Sequence, residues 1–407
     1  MVCLYTIFAA ASFISKSNAY SMTPKLKTAA LLCAVALSTQ AFSQDGNSIN
    51  VVTSAVPFLR ISPDARAGGM GDMGVATAPD ANSAFYNLAK TPFAKSPSAV
   101  SLTYTPWLKN LGVNDVFLAS VAGYHQLDDQ SAISASLRYF NLGSIQFTDF
   151  SGQTLSTGKP TELGVDFGYS RKVSDKVGVG IALRYINSNL TRGYASNSGV
   201  TYKAGSSVAG DVSLYYDNTT EEGDGLRAGI AFSNLGSKIG YTDNADQKDY
   251  IPANMGIGVS YTSVFDETSK ITYGIELNKL LVPTPPRVTG DAATDEAALT
   301  EYRSKGLVSS WASSFGDAGS FGDELKELQV GIGAEYSYND QFFVRGGYFY
   351  EDKTKGNRKF FTAGLGIVYN VFGLNFSYLI PSGQGINQSP LSNTLRFSLL
   401  FNFAGNK

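Results

Sequence analysis

From about residue 99 onward, apolar and polar residues alternate in one run after another. The stretch VGVGIALRYIN at 177–187 shows the pattern clearly. Val177, Val179, Ile181, Leu183 and Tyr185 fall on one face, while Gly178, Gly180, Ala182 and Arg184 fall on the other. Successive side chains of a strand point to opposite faces, so each such run predicts a strand with one apolar face. The pattern recurs at 99–105, 115–126, 130–142, 162–172, 176–187, 206–217, 225–235, 253–262, 269–279, 327–338, 341–351, 358–369, 371–380 and 393–403. These are fourteen strands, and an even number of strands of about ten residues is the signature of an antiparallel barrel that crosses an outer membrane.

The connections support a barrel. The second strand turns into the third through LDDQ, the fourth into the fifth through VSDK, the tenth into the eleventh through ND, and the twelfth into the thirteenth through YNV. Longer connections at 106–114, 143–161, 188–205, 236–252, 280–326 and 381–392 lie between them. Short turns on one rim and long loops on the other match periplasmic turns and extracellular loops, which puts both ends of the chain on the periplasmic side. A soluble β-sandwich also alternates, but rarely needs so many long, uniform strands. The final strand, TLRFSLLFNF, places Leu395, Phe397, Leu399, Phe401 and Phe403 on one face, although AGNK follows it. Its aromatic end resembles the signal read by barrel-assembly machinery. Charged residues make up only 16% of the chain and the net charge is −2, which leaves no electrostatic footprint for nucleic acid.

The N-terminus reads as a targeting segment over 1–43, with 1–21 a possible extra extension. From Met22, Lys25 and Lys27 precede an apolar run from Ala29 to Leu37, and the small residues Ala41-Phe42-Ser43 suit cleavage near Gln44. The run is too short to span about 30 Å of hydrocarbon as an anchor. Cys3 and Cys33 both fall in this leader, so the mature chain is expected to hold no disulfide.

If the apolar face meets lipid, its alternates face a lumen. They include Arg138, Asp166, Arg184, Asp211, Glu276, Glu335, Arg345 and Arg396, four bases and four acids. Buried charges must pair or stay hydrated. An internal salt-bridge network that holds a plug fits this balance, whereas a selective channel more often shows one dominant sign. Inward glycines recur at Gly178/Gly180, Gly256/Gly258, Gly331/Gly333 and Gly364/Gly366. None opens a helix in a βαβ unit, so a dinucleotide loop is not indicated; within a strand they let another backbone approach closely.

That other backbone is expected to be residues 44–98, a hatch ahead of the 99–403 barrel. Within it, AVPFLRISPDARAGGMGDMGVATAPDANSAFYNLAKTPFA carries Arg60, Asp64, Arg66, Gly68, Gly69, Gly71, Asp72, Asp80, Asn82 and Asn87. The run lacks the Gly-Lys-Ser/Thr of a phosphate loop. Its glycines suit tight packing against the barrel wall. Asp80 or Asn82 is expected to cap a short helix over Ala84–Ala89.

The Gly-rich run followed by DANSAFYNLA resembles the hatch of FadL-type barrels, which have fourteen strands. Those transporters usually carry Asn-Pro-Ala where this chain has Asn87-Leu88-Ala89. The stretch AVPFLRISPDARAGGMGDMGVATAPDAN is similar to the PorV (LptO) family, FadL-like barrels of the Bacteroidetes type IX secretion system. The resemblance implies an outer-membrane protein that docks on the translocon barrel, receives cargo through its C-terminal signal domain, and passes it to the PorU sortase attachment complex. It also implies contact with outer-membrane lipid and lipopolysaccharide; a role in lipopolysaccharide O-deacylation has been proposed for the family.

Three functions compete: a secretion accessory, a transporter of long-chain hydrophobic compounds, and a surface-modifying enzyme. Catalysis is not indicated. The single His125 sits at a strand end, no Ser-His-Asp order is legible, and neither a metal-ligand cluster nor a cofactor motif is expected. A transporter would show an apolar lumen, against which the inward charges argue. A cargo receptor needs structured extracellular loops, and the 280–326 connection offers PTPP at 283–286 with Trp311, Phe315 and Phe321.

Overall fold

The computed structural model describes residues 51–403 except 110–111, 149–150, 191–201, 244–246 and 383–392. The expected leader and parts of the 188–205 and 381–392 connections lie outside the described residues. Fourteen strands form one closed antiparallel barrel. They are β1 (Ser98–Pro106), β2 (Val116–Gln126), β3 (Ser131–Leu142), β6 (Thr161–Lys172), β7 (Val177–Asn189), β8 (Gly205–Thr219), β9 (Gly225–Gly236), β12 (Asn254–Val264), β13 (Ser269–Leu280), β14 (Gln329–Tyr338), β15 (Phe342–Tyr350), β16 (Lys359–Tyr369), β17 (Phe372–Pro381) and β18 (Leu395–Phe403). The barrel closes where β1 pairs with β18, from Ser98↔Phe403 to Tyr104↔Phe397. Closure leaves no wall strand with an unpaired edge, as a span through hydrocarbon demands. All fourteen strands expected from the alternation are present. Two small hairpins, β4 (Ile145–Thr148) with β5 (Thr154–Gly158) and β10 (Ile239–Gly240) with β11 (Lys248–Asp249), decorate the long-loop rim. Among the described residues no helix is long and apolar enough to cross a membrane.

The alternation sets which face is which. Leu183 on the outer wall is 69% exposed, while its neighbour Arg184 is 2% exposed. Exposed Phe265, Tyr338, Phe342, Tyr369, Phe372 and Phe403 gather at the short-turn ends of their strands. Aromatic rings at that level form the girdle that marks a membrane–water boundary.

The segment before β1 occupies the inside. Its described part starts at the long-loop rim, where Ala55 N donates to Tyr250 O at 2.8 Å and Val52 packs with Tyr250, Leu280, Val282 and Tyr302. It ends at the opposite rim, where Ser98 pairs with Phe403 and lies across from His125. The two ends of the barrel wall thus share one rim, but residues 51–56 sit at the other. The expected helix over Ala84–Ala89 is replaced by two 3-10 turns, Ser83–Phe85 and Leu88–Phe93. Asn82 makes no side-chain cap. Asn87 breaks the run with extended backbone and caps the second turn by accepting from Ala89 N.

Candidate functional site

The inward segment is held first by shape. Phe58 and Leu59 pack against the wall beside Gly164. Asp64 caps a single helical turn, Ala65–Gly68, by accepting from Arg66 N and Ala67 N. The chain then reverses through Gly71 at φ 69°, a conformation that favours glycine. Here the segment's backbone meets wall backbone directly. A Cβ on Gly347 would lie 2.3 Å from Gly71 N, and one on Gly333 2.5 Å from Met70 O. A Cβ on Gly68 would strike the Arg396 side chain, and one on Gly69 would come within 3.1 Å of Gly364 Cα.

Polar contacts fix the register. Arg66 donates to both Glu335 oxygens at 2.8 and 3.0 Å and to Asp80 at 2.9 Å. Glu335 also receives Arg345 Nε at 2.6 Å, so one acid serves an arginine of the inward segment and an arginine of the wall. Glu276 Oε2 accepts from Gly74 N and Val75 N, both at 2.8 Å. Asn87 Nδ2 donates to Val75 O within the segment and to Leu214 O on the wall. Lys90, which sequence reasoning passed over, is buried and donates to Gly74 O at 2.6 Å.

The lumen charges divide into two kinds. Arg184 pairs with Asp166 and with Asp211 (2.8 Å) and donates to Asn234. Arg345 pairs with Glu335 at 2.6 Å. Arg138 departs from the expected pairing: among the described residues it makes no ion pair, and instead donates to Leu59 O at 2.7 Å and Phe85 O at 3.3 Å. Glu276 likewise takes backbone and amide donors rather than a cation. Arg396, 1% exposed, reaches Asp72 only at 3.5 Å. Arg60 reaches Glu351 at 3.5 Å.

The outer rim is more structured than its sequence suggested. The 280–326 connection contains three helices: α2 (Ala292–Ser304), α3 (Leu307–Ser313) and α4 (Phe321–Lys326), counting Ala65–Gly68 as α1. Asp291 caps α2 by accepting from Thr294 N at 3.0 Å, and Ser320 caps α4 through Asp323 N. These caps were the overlooked sequence signals, an Asp or Ser directly before a run of helix formers. The loop is bolted to the barrel twice. Lys279 meets Glu327 at 2.6 Å and Glu324 at 3.0 Å, with Lys355 adding a 2.8 Å contact to Glu327. Burial pushes the Glu327 carboxyl up, but these two lysines outweigh it and hold it below the usual range. On the far side, Tyr250 OH bonds Tyr302 O and Ser310 Oγ, and the Tyr250 and Tyr302 rings meet edge-on at 5.3 Å. Trp311 is half-buried, whereas Phe315 and Phe321 are exposed, with Val308 and Leu325 exposed nearby in sequence. The acids Asp317, Glu324 and Glu327 lie within 4.8 Å of one another, but Lys279, Lys355 and Thr284 already engage them. His125 sits at the short-turn rim, its Nδ1 against Ser98 Oγ at 2.7 Å, far in sequence from these groups.

A family model described as type IX secretion system protein PorV matches residues 33–287, more than half of the chain. Comparison with curated proteins gives no match. Among solved structures, a TodX monoaromatic hydrocarbon channel mutant (deltaS2S3) aligns at 12% identity and TM-score 0.51, covering 84% of this chain and 99% of its own. The Ralstonia pickettii toluene transporter TbuX aligns at 13% identity and TM-score 0.50, covering 84% and 98%. A Pseudomonas aeruginosa FadL homologue aligns at 12% identity and TM-score 0.46, covering 88% and 100%.

Proposed function

Because the chain belongs to the type IX secretion system protein PorV family, we propose that it is an outer-membrane component of type IX secretion that binds cargo by its C-terminal signal domain at the translocon barrel and passes it to the PorU sortase attachment complex. The observation that carries this reading is a division of labour within the fold. The lumen is occupied by the chain's own residues 56–93, while the outer rim is built into a braced helical platform with exposed Phe315 and Phe321. Lipid covers the wall, so recognition of a folded partner falls to the rim, and exposed aromatics are the residue types best able to anchor an interface. The hatch is a structural plug in this reading, and catalysis has no part in it.

Shortening 288–322 to a Gly-Ser turn tests the proposal. The barrel should still assemble, and surface delivery of cargo should fall sharply in cells that carry the shortened protein at normal levels. Undiminished delivery would exclude this loop and shift the docking surface to the 143–161 or the 188–205 connection.

Transport of hydrophobic compounds is the second reading, favoured by the likeness in fold to a toluene transporter. The inward wall counts against it. Arg138, Arg184, Glu276 and Glu335 line a polar interior that an apolar solute would have to desolvate. Equilibrium binding of a long-chain hydrocarbon to the purified barrel separates the two readings.

A further inference from the structure

A cavity of about 120 Å³ lies between the N-terminal segment and the outer halves of β9, β12 and β13. Arg60 and Arg138 border it, together with the amide side chains of Asn234, Asn254, Asn278 and Gln329. Leu59, whose carbonyl accepts from Arg138 Nη1, directly precedes Arg60, and both arginines line the cavity.

The cations here are incompletely paired. Arg358, also on the cavity wall, takes the Glu351 carboxylate as a fork, through Nε at 2.8 Å and Nη2 at 3.0 Å. Arg60 is left with the same acid at 3.5 Å. Arg138 is buried, has no acid partner among the described residues, and keeps its Nε without a hydrogen-bond acceptor. Two acids also border the cavity, Glu276 with its hydrogen bonds made and Asp72 with Arg396 only at 3.5 Å. Glu276 accepts two backbone N–H groups and the Asn278 amide, and Asp72 faces Arg396. A buried guanidinium without a counter-charge is costly, and its planar donors match an oxyanion bidentately.

We infer that this cavity is a binding site for a small oxyanion, a carboxylate or phosphate group, held between Arg60 and Arg138 and completed by the surrounding amides. About 10–15 Å³ of such volume accommodates one water, so the space admits the head of a ligand or a small free ion. The inference stands apart from the secretion reading and holds whichever partner docks on the rim.

The test uses the purified full barrel in detergent, with 13C-acetate and inorganic phosphate as probes, titrated at constant ionic strength with chloride. Line widths of the 13C and 31P signals report binding. Saturable broadening is expected for at least one probe, and Arg60→Gln should weaken it tenfold or more while the barrel stays heat-modifiable on gels. Saturation by acetate alone identifies a carboxylate site, and by phosphate alone a phosphate site. Should Arg60→Gln not assemble, Asn254→Leu on the opposite wall serves the same purpose. Absence of saturable broadening with both probes, or unchanged affinity in the assembled variant, overturns the inference.

Discussion

Replacing Arg184 with methionine probes how much the lumen network contributes to the barrel. The Arg184 side chain is 2% exposed, and its partners Asp166 and Asp211 are 5% and 10% exposed. The substitution keeps most of the volume but leaves two buried carboxylates facing an apolar side chain. Breaking a buried pair by removing one partner costs about 3–5 kcal/mol. Some relief remains, because Ser136 Oγ still donates to Asp166 at 2.5 Å and Asn234 N to Asp211 at 2.8 Å. The expected loss is therefore near the lower end, about 3 kcal/mol, or roughly a hundredfold in the folding equilibrium. Urea unfolding in detergent, followed by the shift between folded and unfolded gel bands, measures it. The control is a triple variant that adds Asp166→Asn and Asp211→Asn. It removes the orphaned charges and should recover most of the loss, since neutralising both sides of a buried network is often nearly free. The reasoning fails if Arg184→Met stays within about 1 kcal/mol of the parent, the scale of an exposed pair, or if the triple variant is no more stable than the single one.

Three further outcomes follow from the same geometry. Gly347→Val places a Cβ where Gly71 N lies 2.3 Å away, so the segment must move off the wall; trypsin should then cleave at Arg60, Arg66 or Lys90 in a barrel that remains heat-modifiable. The Glu327 carboxyl sits below its ordinary value, so the brace it gives the long loop is complete above the unfolded carboxyl pKa of about 4.3 and is lost as pH falls below that value and through the lower folded one. The chain has two tryptophans, so a Trp107→Phe background leaves Trp311 as the sole emitter; its fluorescence should change on acidification and stay flat once Glu327→Gln is added. Planar bilayers with the parent protein should show no steady large-conductance openings, because residues 58–93 pack against inward-facing positions of the wall.

The wall was legible because its rule is local. Alternation tells each residue which way it faces, and a membrane barrel enforces that rule on every strand. Once strands are in register, some of the network becomes legible too. Asp166 stands opposite Arg184, and Glu335 opposite Arg345. What stayed hidden depends on non-local geometry. Tyr250 and Tyr302 meet only because the long loop folds back on the rim. The caps at Asp291 and Ser320 were readable as helix starts, but the length of the connection masked them. Nothing in the sequence said that residues 51–56 begin at the long-loop rim, since the period-two pattern stops before them.

The charges that lack an opposite charge explain how the segment finds its place. Arg138 stands between Ser120 and Gly164, and Glu276 between Gly258 and Gly331. Neither has an ionic neighbour across the strands, and each has at least one glycine beside it. A glycine there does two things: it withholds a partner side chain, and it clears space for a second backbone. In both cases that backbone supplies hydrogen bonds in place of an ionic partner, although Arg138 Nε is left without one. Leu59 O accepts from Arg138, and Gly74 N and Val75 N donate to Glu276. A basic residue therefore selects a carbonyl and an acidic residue selects N–H groups, which fixes the direction of the segment as well as its position. The same segment is tied at its start to Tyr250, whose hydroxyl holds Tyr302 of the long loop. The lumen filling and the rim platform thus share one footing: loosening residues 51–56 removes support from the loop, while shortening the loop leaves Arg138, Glu276 and the inner contacts in place.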